Sequence, residues 1–240
     1  MLMIRVEGLH KSYGDRVAVR GLDLSVEPGR LHALLGRNGA GKSTAMHCMV
    51  GLLKPDRGTI RLDGVDLADR RAEALRRVSY LPEVAAVYEA LTPEEFLALR
   101  GRLFGMDEAA IAAGSAAWLG RFGLADRSHE PMAGFSKGMV QKAALAAALL
   151  TEPRVLVLDE PITGLDVVST LELKELLREL ARGGRTVLFS SHLLDVVENL
   201  AEWVTVIEQG RVVAEGTVAE VRRLAGDAAS LEAAFQHLVH

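Results

Sequence analysis

A glycine-rich stretch near the start of the chain, Gly36-Arg37-Asn38-Gly39-Ala40-Gly41-Lys42-Ser43-Thr44, carries the residue types needed to hold a polyphosphate. It matches the pattern G-x-x-x-x-G-K-[ST]. Phosphate oxygens need backbone N–H groups approaching from several sides, and glycine lets the chain wrap that closely. A helix starting at the end of the loop adds its N-terminal dipole. Lys42 would reach the β- and γ-phosphates, and the Ser43 hydroxyl would ligate Mg²⁺. With 23 glycines, 6 lysines and 20 serines plus threonines in 240 residues, the pattern arises by chance about 0.005 times per chain. Nucleotide binding is therefore preferred to a coincidental glycine-rich loop.

A second constellation follows an apolar run, Val155-Leu156-Val157-Leu158-Asp159-Glu160-Pro161. Two carboxylates at the carboxyl end of a buried strand stand where open parallel sheets bind ligands. Asp159 suits a Mg²⁺ role, and Glu160 could orient or deprotonate an attacking water. Alone, Asp-Glu-Pro is also an ordinary strand-to-turn sequence; the phosphate loop upstream favours the chemical reading. The only Lys-x-Asp, Lys54-Pro55-Asp56, follows Leu53 and gives no Asn-Lys-x-Asp element to read guanine.

These residues need strands and helices to position them. Leu31 to Leu35 is a compact apolar run stopped by Gly36, as expected of a strand buried on both faces. Helical character follows from Ser43 to Leu53. The first third otherwise reads as short strands, Met3 to Ser12 and the alternating Leu22, Leu24 and Val26, with a hairpin from Thr59 to Leu67 turning at Asp63-Gly64. Thr92-Pro93-Glu94-Glu95 is a capping box with proline at the first helical position, and Thr92 to Leu150 reads as a helical insert. Val155 to Leu158 and Thr186 to Phe189 are buried-strand runs. Leu173, Leu176, Leu177 and Leu180 mark one helix face; Leu193, Val196, Val197 and Leu200 mark another. Val204 to Ile207 and Arg211 to Ala214 form a last hairpin around Gln209-Gly210. The alternation implies a parallel α/β core with an inserted subdomain.

Composition narrows the class further. Apolar residues make up 49% and charged residues 25%, enough for a core and against disorder. The net charge of −4 lacks the basic surplus of a nucleic-acid binder. Arg70, Arg71, Arg76 and Arg77 interleave with Glu73 and read as a solvated helical face. The single Cys48 excludes an internal disulfide framework. The longest stretch without acidic residues, Lys or Arg, Ala109 to Gly120, is about two-thirds of the ~18 residues a membrane span needs. A soluble, intracellular chain is expected. None of the seven histidines shows metal-ligand spacing, and His237 and His240 fall in a solvated tail.

At this point the motifs resemble one family, the ATP-binding subunits of ATP-binding cassette (ABC) transporters. Phe135-Ser136-Lys137-Gly138-Met139, ahead of Gln141-Lys142, resembles the family's signature sequence and falls 23 residues before Asp159. Glu160-Pro161-Ile162-Thr163-Gly164-Leu165-Asp166 resembles the strand-end carboxylates running into the D-loop. Ser190-Ser191-His192 resembles the switch histidine, and Lys11-Ser12-Tyr13-Gly14 the aromatic loop that stacks on adenine. Glu83, in Tyr80-Leu81-Pro82-Glu83, stands where the family often has a metal-ligating glutamine. Lys137 and Met139 in the signature, with the tail from Ser230 to Leu238, are similar to the exporter-type (ABC-2-like) branch.

The resemblance implies a P-loop ATPase fold: a parallel-sheet core with an antiparallel β subdomain (residues 1–83 and 152–240) and an inserted helical signature subdomain (residues 84–151). It implies ATP and Mg²⁺ as cofactors. Ser43, Glu83 and Asp159 would meet the metal, and Glu160 and His192 would serve catalysis. Tyr13, the loop from Gly36 to Thr44, Glu83, Ser136, Gly138 and Asp166 would contact nucleotide. It further implies a head-to-tail pair with a second copy, Ser136 and Gly138 of one facing the phosphate loop of the other, and a separate integral membrane permease. Nucleic acid is not an expected partner, and the chain would sit at the cytoplasmic face of the membrane. An ABC-type ATPase acting on DNA or ribosomes is the alternative, and a soluble small-molecule kinase a remoter one.

Overall fold

The computed structural model describes residues 1–239; His240, expected in the solvated tail, lies outside the described residues. The chain runs β1 (Ile4–Tyr13), β2 (Arg16–Val26), β3 (Leu31–Leu35), α1 (Lys42–Met49), β4 (Arg57–Leu62), β5 (Val65–Asp66), α2 (Arg71–Leu75), β6 (Val78–Leu81), α3 (Pro93–Leu103), α4 (Glu108–Arg121) and α5 (Lys137–Leu150). It continues with β7 (Val155–Leu158), α6 (Val167–Arg182), β8 (Thr186–Ser191), α7 (Leu194–Leu200), β9 (Trp203–Glu208), β10 (Arg211–Thr217), α8 (Val218–Leu224) and α9 (Leu231–Leu238).

Every residue of β3, β7 and β8 is buried, as strands covered on both faces must be. They are neighbours in a six-stranded sheet of order β10-β9-β3-β8-β7-β6. All its pairings are parallel except that of β10 with β9. The parallel register brings the carboxyl ends of β3, β8 and β7 to one edge, with Leu35 beside Ser191 and Leu158 beside Phe189. The three segments that follow these strands therefore emerge side by side.

A four-stranded antiparallel sheet of order β2-β1-β4-β5 packs on one face. The two sheets share a core to which α1 contributes Ala45, Met46, Cys48 and Met49. The other face is covered by α5, α6 and α7. A separate cluster joins α3, α4 and α5 through Leu97, Leu119, Ala143, Ala146 and Leu150. Helix α5 belongs to two cores, since Ala144, Leu145, Ala148 and Leu149 lie in the cluster against the large sheet. Its alanine richness lets both sides approach closely. Thr92 caps α3 with Glu95 in reciprocal hydrogen bonds, as the capping box requires.

Four details differ from the expectations. Helix α1 ends at Met49, because Gly51 takes a φ of +70° that stops it short of Leu53. Residues 122–136 are largely non-helical, holding only two short 3₁₀ turns. Strand β6 had no sequence signal of its own; it exists by pairing with β7. The arginine face is not wholly solvated: Arg77 Nη1 lies 2.6 Å and Arg154 Nη1 2.8 Å from the buried Asp63 carboxylate. That clamp fastens the β4–β5 turn to the edge of the large sheet.

Candidate functional site

The site starts where β3 runs out. A Cβ at Gly36 would lie 2.5 Å from the Ile207 carbonyl, and one at Gly41 2.5 Å from the Ala18 carbonyl. Gly41 also has a φ of +108°, so only glycine fits. Because Gly41 occupies the N-cap of α1, no side chain caps that helix. The amides of Lys42, Ser43 and Thr44 find no acceptor among the described residues. Uncapped N–H groups at a helix start carry the positive end of the dipole and suit an anion.

Lys42, almost fully buried, folds back over the loop. Its Nζ donates to the Gly36 carbonyl at 2.8 Å and to that of Arg37 at 3.3 Å. It also stands 3.3 Å from Glu160 Oε1. That oxygen accepts no directed hydrogen bond among the described residues, so the contact is one of charge alone. Glu160 Oε2 is held by His192 Nδ1 at 2.9 Å and by the Thr163 hydroxyl at 3.4 Å. Glu160 takes a φ of +46°, a left-handed conformation that turns the chain sharply at the end of β7.

Asp159 is buried beside it. Ser190 Oγ donates to Asp159 Oδ1 at 2.5 Å and accepts from the Glu160 amide at 2.9 Å. The Tyr80 hydroxyl lies 3.5 Å from Asp159 Oδ2 and 2.9 Å from His47 Nε2. Burial first, then the negative charge of Asp159 and the bond to it, push the Tyr80 phenol above its ordinary range; Glu83 adds to this. Tyr80 is thus a donor at any working pH. Cys48, on the buried side of α1, is raised to about 11 by burial, which removes it as a nucleophile.

The structure therefore brings Lys42, Asp159, Glu160 and His192 into one contact chain at the shared strand edge. Of the other sequence candidates, Tyr13, Glu83, Ser136 and Asp166 are not members of that contact chain. Tyr13 is half exposed beside the β1–β2 turn, with Lys11 Nζ 5.9 Å from its ring. Glu83 is exposed. Ser136 caps α5 by accepting the Met139 amide at 3.3 Å, and Gly138 follows in its first turn. Asp166 caps α6; the Ser169 amide bond lowers its carboxyl below the usual range. Among the described residues, Tyr13, Glu83, Ser136 and Asp166 make no hydrogen bond or ion pair to Lys42, Asp159, Glu160 or His192. Helix α5 still reaches the turn that follows β7, because Gln141 Nε2 donates to the Pro161 carbonyl at 3.4 Å.

Sequence reasoning assigned no role to His47 or to the hydroxyls of Tyr80, Ser190 and Thr163. A serine within the otherwise apolar β8 and a histidine in a helix with four apolar core residues were the available signals. For Mg²⁺, the Ser43 hydroxyl and Asp159 are oxygen donors of the right chemistry. No group of three or more His, Cys, Asp or Glu able to hold a metal is found among the described residues. A hard cation here would complete its shell with phosphate and water oxygens, the usual habit of Mg²⁺.

Residues 19–163 match the family model described as ABC transporter. The chain is 42% identical over 224 residues to the daunorubicin resistance ATP-binding protein DrrA3 of Streptomyces coeruleorubidus, covering 93% of this chain and 71% of that one. It is 38% identical to the ABC transporter ATP-binding protein NatA of Bacillus subtilis (strain 168), covering 84% and 82% respectively. Among solved structures, an ATP-binding subunit of an ABC transporter superposes with a TM-score of 0.92 at 36% identity over 99% of both chains. None of these relatives supports action on DNA or ribosomes.

Proposed function

The chain belongs to the ABC transporter family as an ATP-binding and ATP-hydrolysing subunit, and from that premise we propose which residues carry its cycle. The observation behind the reading is the set of three amides without acceptors at the start of α1, at the same sheet edge as Lys42, Asp159 and Glu160. The loop from Gly36 to Thr44 would cradle the phosphates, and Lys42 would exchange its carbonyl and Glu160 contacts for phosphate oxygens. Each such charge-assisted bond contributes ~1.5–3 kcal/mol. Ser43 and Asp159 would hold Mg²⁺, whose charge stabilises the β- and γ-phosphate oxygens when bound. Glu160 would polarise the attacking water, and His192, 2.9 Å away, would orient its carboxylate. Tyr13, half exposed, would stack on adenine.

Ser136, Gly138 and Asp166 are reserved for the second copy in a head-to-tail homodimer. Among the described residues Ser136 and Asp166 make only local capping bonds and none to Lys42, Asp159, Glu160 or His192, which supports this. Residues 84–151 would be the inserted unit that transmits closure to a membrane permease. A groove of about 700 Å³ along α3, lined by Leu91, Thr92, Glu95, Leu99, Arg102 and His129, offers a seat for that permease. No helix among the described residues is long and apolar enough to cross a membrane, so the span would come from the partner and the chain would lie peripherally on the cytoplasmic face. The daunorubicin resistance relative supports drug efflux as the direction and cargo class.

Calorimetry of the purified chain with ATP and magnesium tests this reading, paired with phosphate release. One nucleotide per chain and measurable release are expected; no heat of association would overturn it.

A further inference from the structure

A single hydroxyl stands between α1 and the buried aspartate at the end of β7. Tyr80 lies on β6, directly across from Val157, two residues before Asp159. Its oxygen is 2.9 Å from His47 Nε2 and 3.5 Å from Asp159 Oδ2. The His47 and Tyr80 rings meet edge-on, at 86° with centroids 5.7 Å apart, so neither turns freely. His47 projects from α1 about one turn beyond Ser43. The helix carrying one proposed metal ligand and the strand carrying the other are thus tied through one phenol.

That phenol has one proton to give. When His47 Nε2 carries hydrogen it donates to the tyrosine oxygen, and the phenolic proton is left for Asp159 Oδ2. When Nε2 is bare it takes the phenolic proton at 2.9 Å, and Oδ2 loses its donor. Ser190 already holds Oδ1 at 2.5 Å, which fixes one oxygen but leaves the second free to swing. Control of the second oxygen therefore falls to Tyr80.

We propose that Tyr80, oriented by His47, is a positioning residue that presets the Asp159 carboxylate for Mg²⁺·ATP. This rests on Asp159 being the metal ligand. Partners that orient a metal-ligating group typically change metal affinity 10–100-fold when lost. The long reach to Oδ2 puts the expected effect at about tenfold, the lower end of that range.

The test measures ATP affinity of the full chain by calorimetry, once with magnesium and once with EDTA, and takes the ratio as the magnesium gain. Thermal unfolding verifies that each variant is folded. Asp159→Asn should erase most of the gain. Tyr80→Phe should lower it about tenfold while affinity in EDTA stays within twofold of wild type. His47→Ala should follow Tyr80→Phe, and His47→Gln, whose amide N–H can still donate to the phenol, should restore the gain. If Tyr80→Phe keeps the full gain while Asp159→Asn loses it, the positioning role is overturned and the metal site stands. Equal weakening of Tyr80→Phe with and without magnesium would also overturn it, since that is a general structural effect. If Asp159→Asn keeps the gain, the metal assignment falls and the inference with it. If His47→Gln is as poor as His47→Ala, His47 does not orient the phenol.

Discussion

Replacing Glu160 by glutamine keeps the side chain's length and removes its charge, which separates chemistry from binding at this site. In the native chain the carboxylate is buried, with Oε1 3.3 Å from Lys42 Nζ and Oε2 2.9 Å from His192 Nδ1. A glutamine must point its amide nitrogen at one of the two. Aimed at Lys42 it would set two donors against each other; aimed at His192 it needs only that Nδ1 accept, which a neutral imidazole can do. The variant therefore folds with its oxygen toward Lys42, and Lys42 keeps the carbonyls of Gly36 and Arg37. On the proposed reading, what is lost is the group that would polarise water. General-base assistance contributes about 10²–10⁴-fold, or about 2.7–5.4 kcal/mol of barrier at 1.36 kcal/mol per decade. Phosphate release should fall by that factor. Calorimetric ATP affinity should hold or tighten, because a negative charge beside the phosphate loop has gone. With hydrolysis blocked, light scattering should show the mass doubling in ATP as the closed pair accumulates. Turnover within threefold of wild type would remove Glu160 from the chemistry, and parallel loss of ATP binding would reassign it to the cradle.

Lys42→Ala removes the only ammonium in the cradle. Two charge-assisted phosphate contacts at ~1.5–3 kcal/mol each imply at least a hundredfold loss of ATP affinity, and wild-type affinity by calorimetry would refute the phosphate-loop assignment. His32, on β3, has Nε2 2.8 Å from the Thr205 hydroxyl, and burial drives its imidazole down to about 3 from an ordinary 6.5. The unfolded chain protonates first as pH falls, so this contribution is complete above 6.5 and is lost progressively toward 3. Between pH 6.5 and 5 it amounts to about 2 kcal/mol at 1.36 kcal/mol per unit. Urea unfolding of a His32→Gln variant should accordingly show a flatter acid limb than wild type; equal slopes would contradict the assignment.

Much of the fold was legible because its signals are local. Apolar runs marked β3, β7 and the body of β8, and the Thr92 capping box marked α3 at its first residue. The positive-φ pair Asp63-Gly64 turned the hairpin where expected, with φ of 47° and 75°. Elements without a local signal were missed. Strand β6 is four residues long and owes its existence to a partner nearly 80 residues away. The end of α1 depended on a left-handed Gly51 that apolar content alone does not reveal. Arg77 looked like one member of a solvated face, and only the return of β7 put Arg154 on the other side of Asp63.

The same division holds at the site. Residue type and spacing along the chain were enough to mark the glycine-rich loop and the paired acids as candidates, because wrapping a backbone around phosphate and closing a buried strand would impose their demands on consecutive residues. Folding alone decided that Lys42 leans on Glu160, that Ser190 and Tyr80 grip opposite oxygens of Asp159, and that His47 stands behind Tyr80. Those contacts join residues from separate strands and a helix. Angstrom-scale contacts of that kind arise from sheet register and helix packing, to which no single stretch of chain gives access.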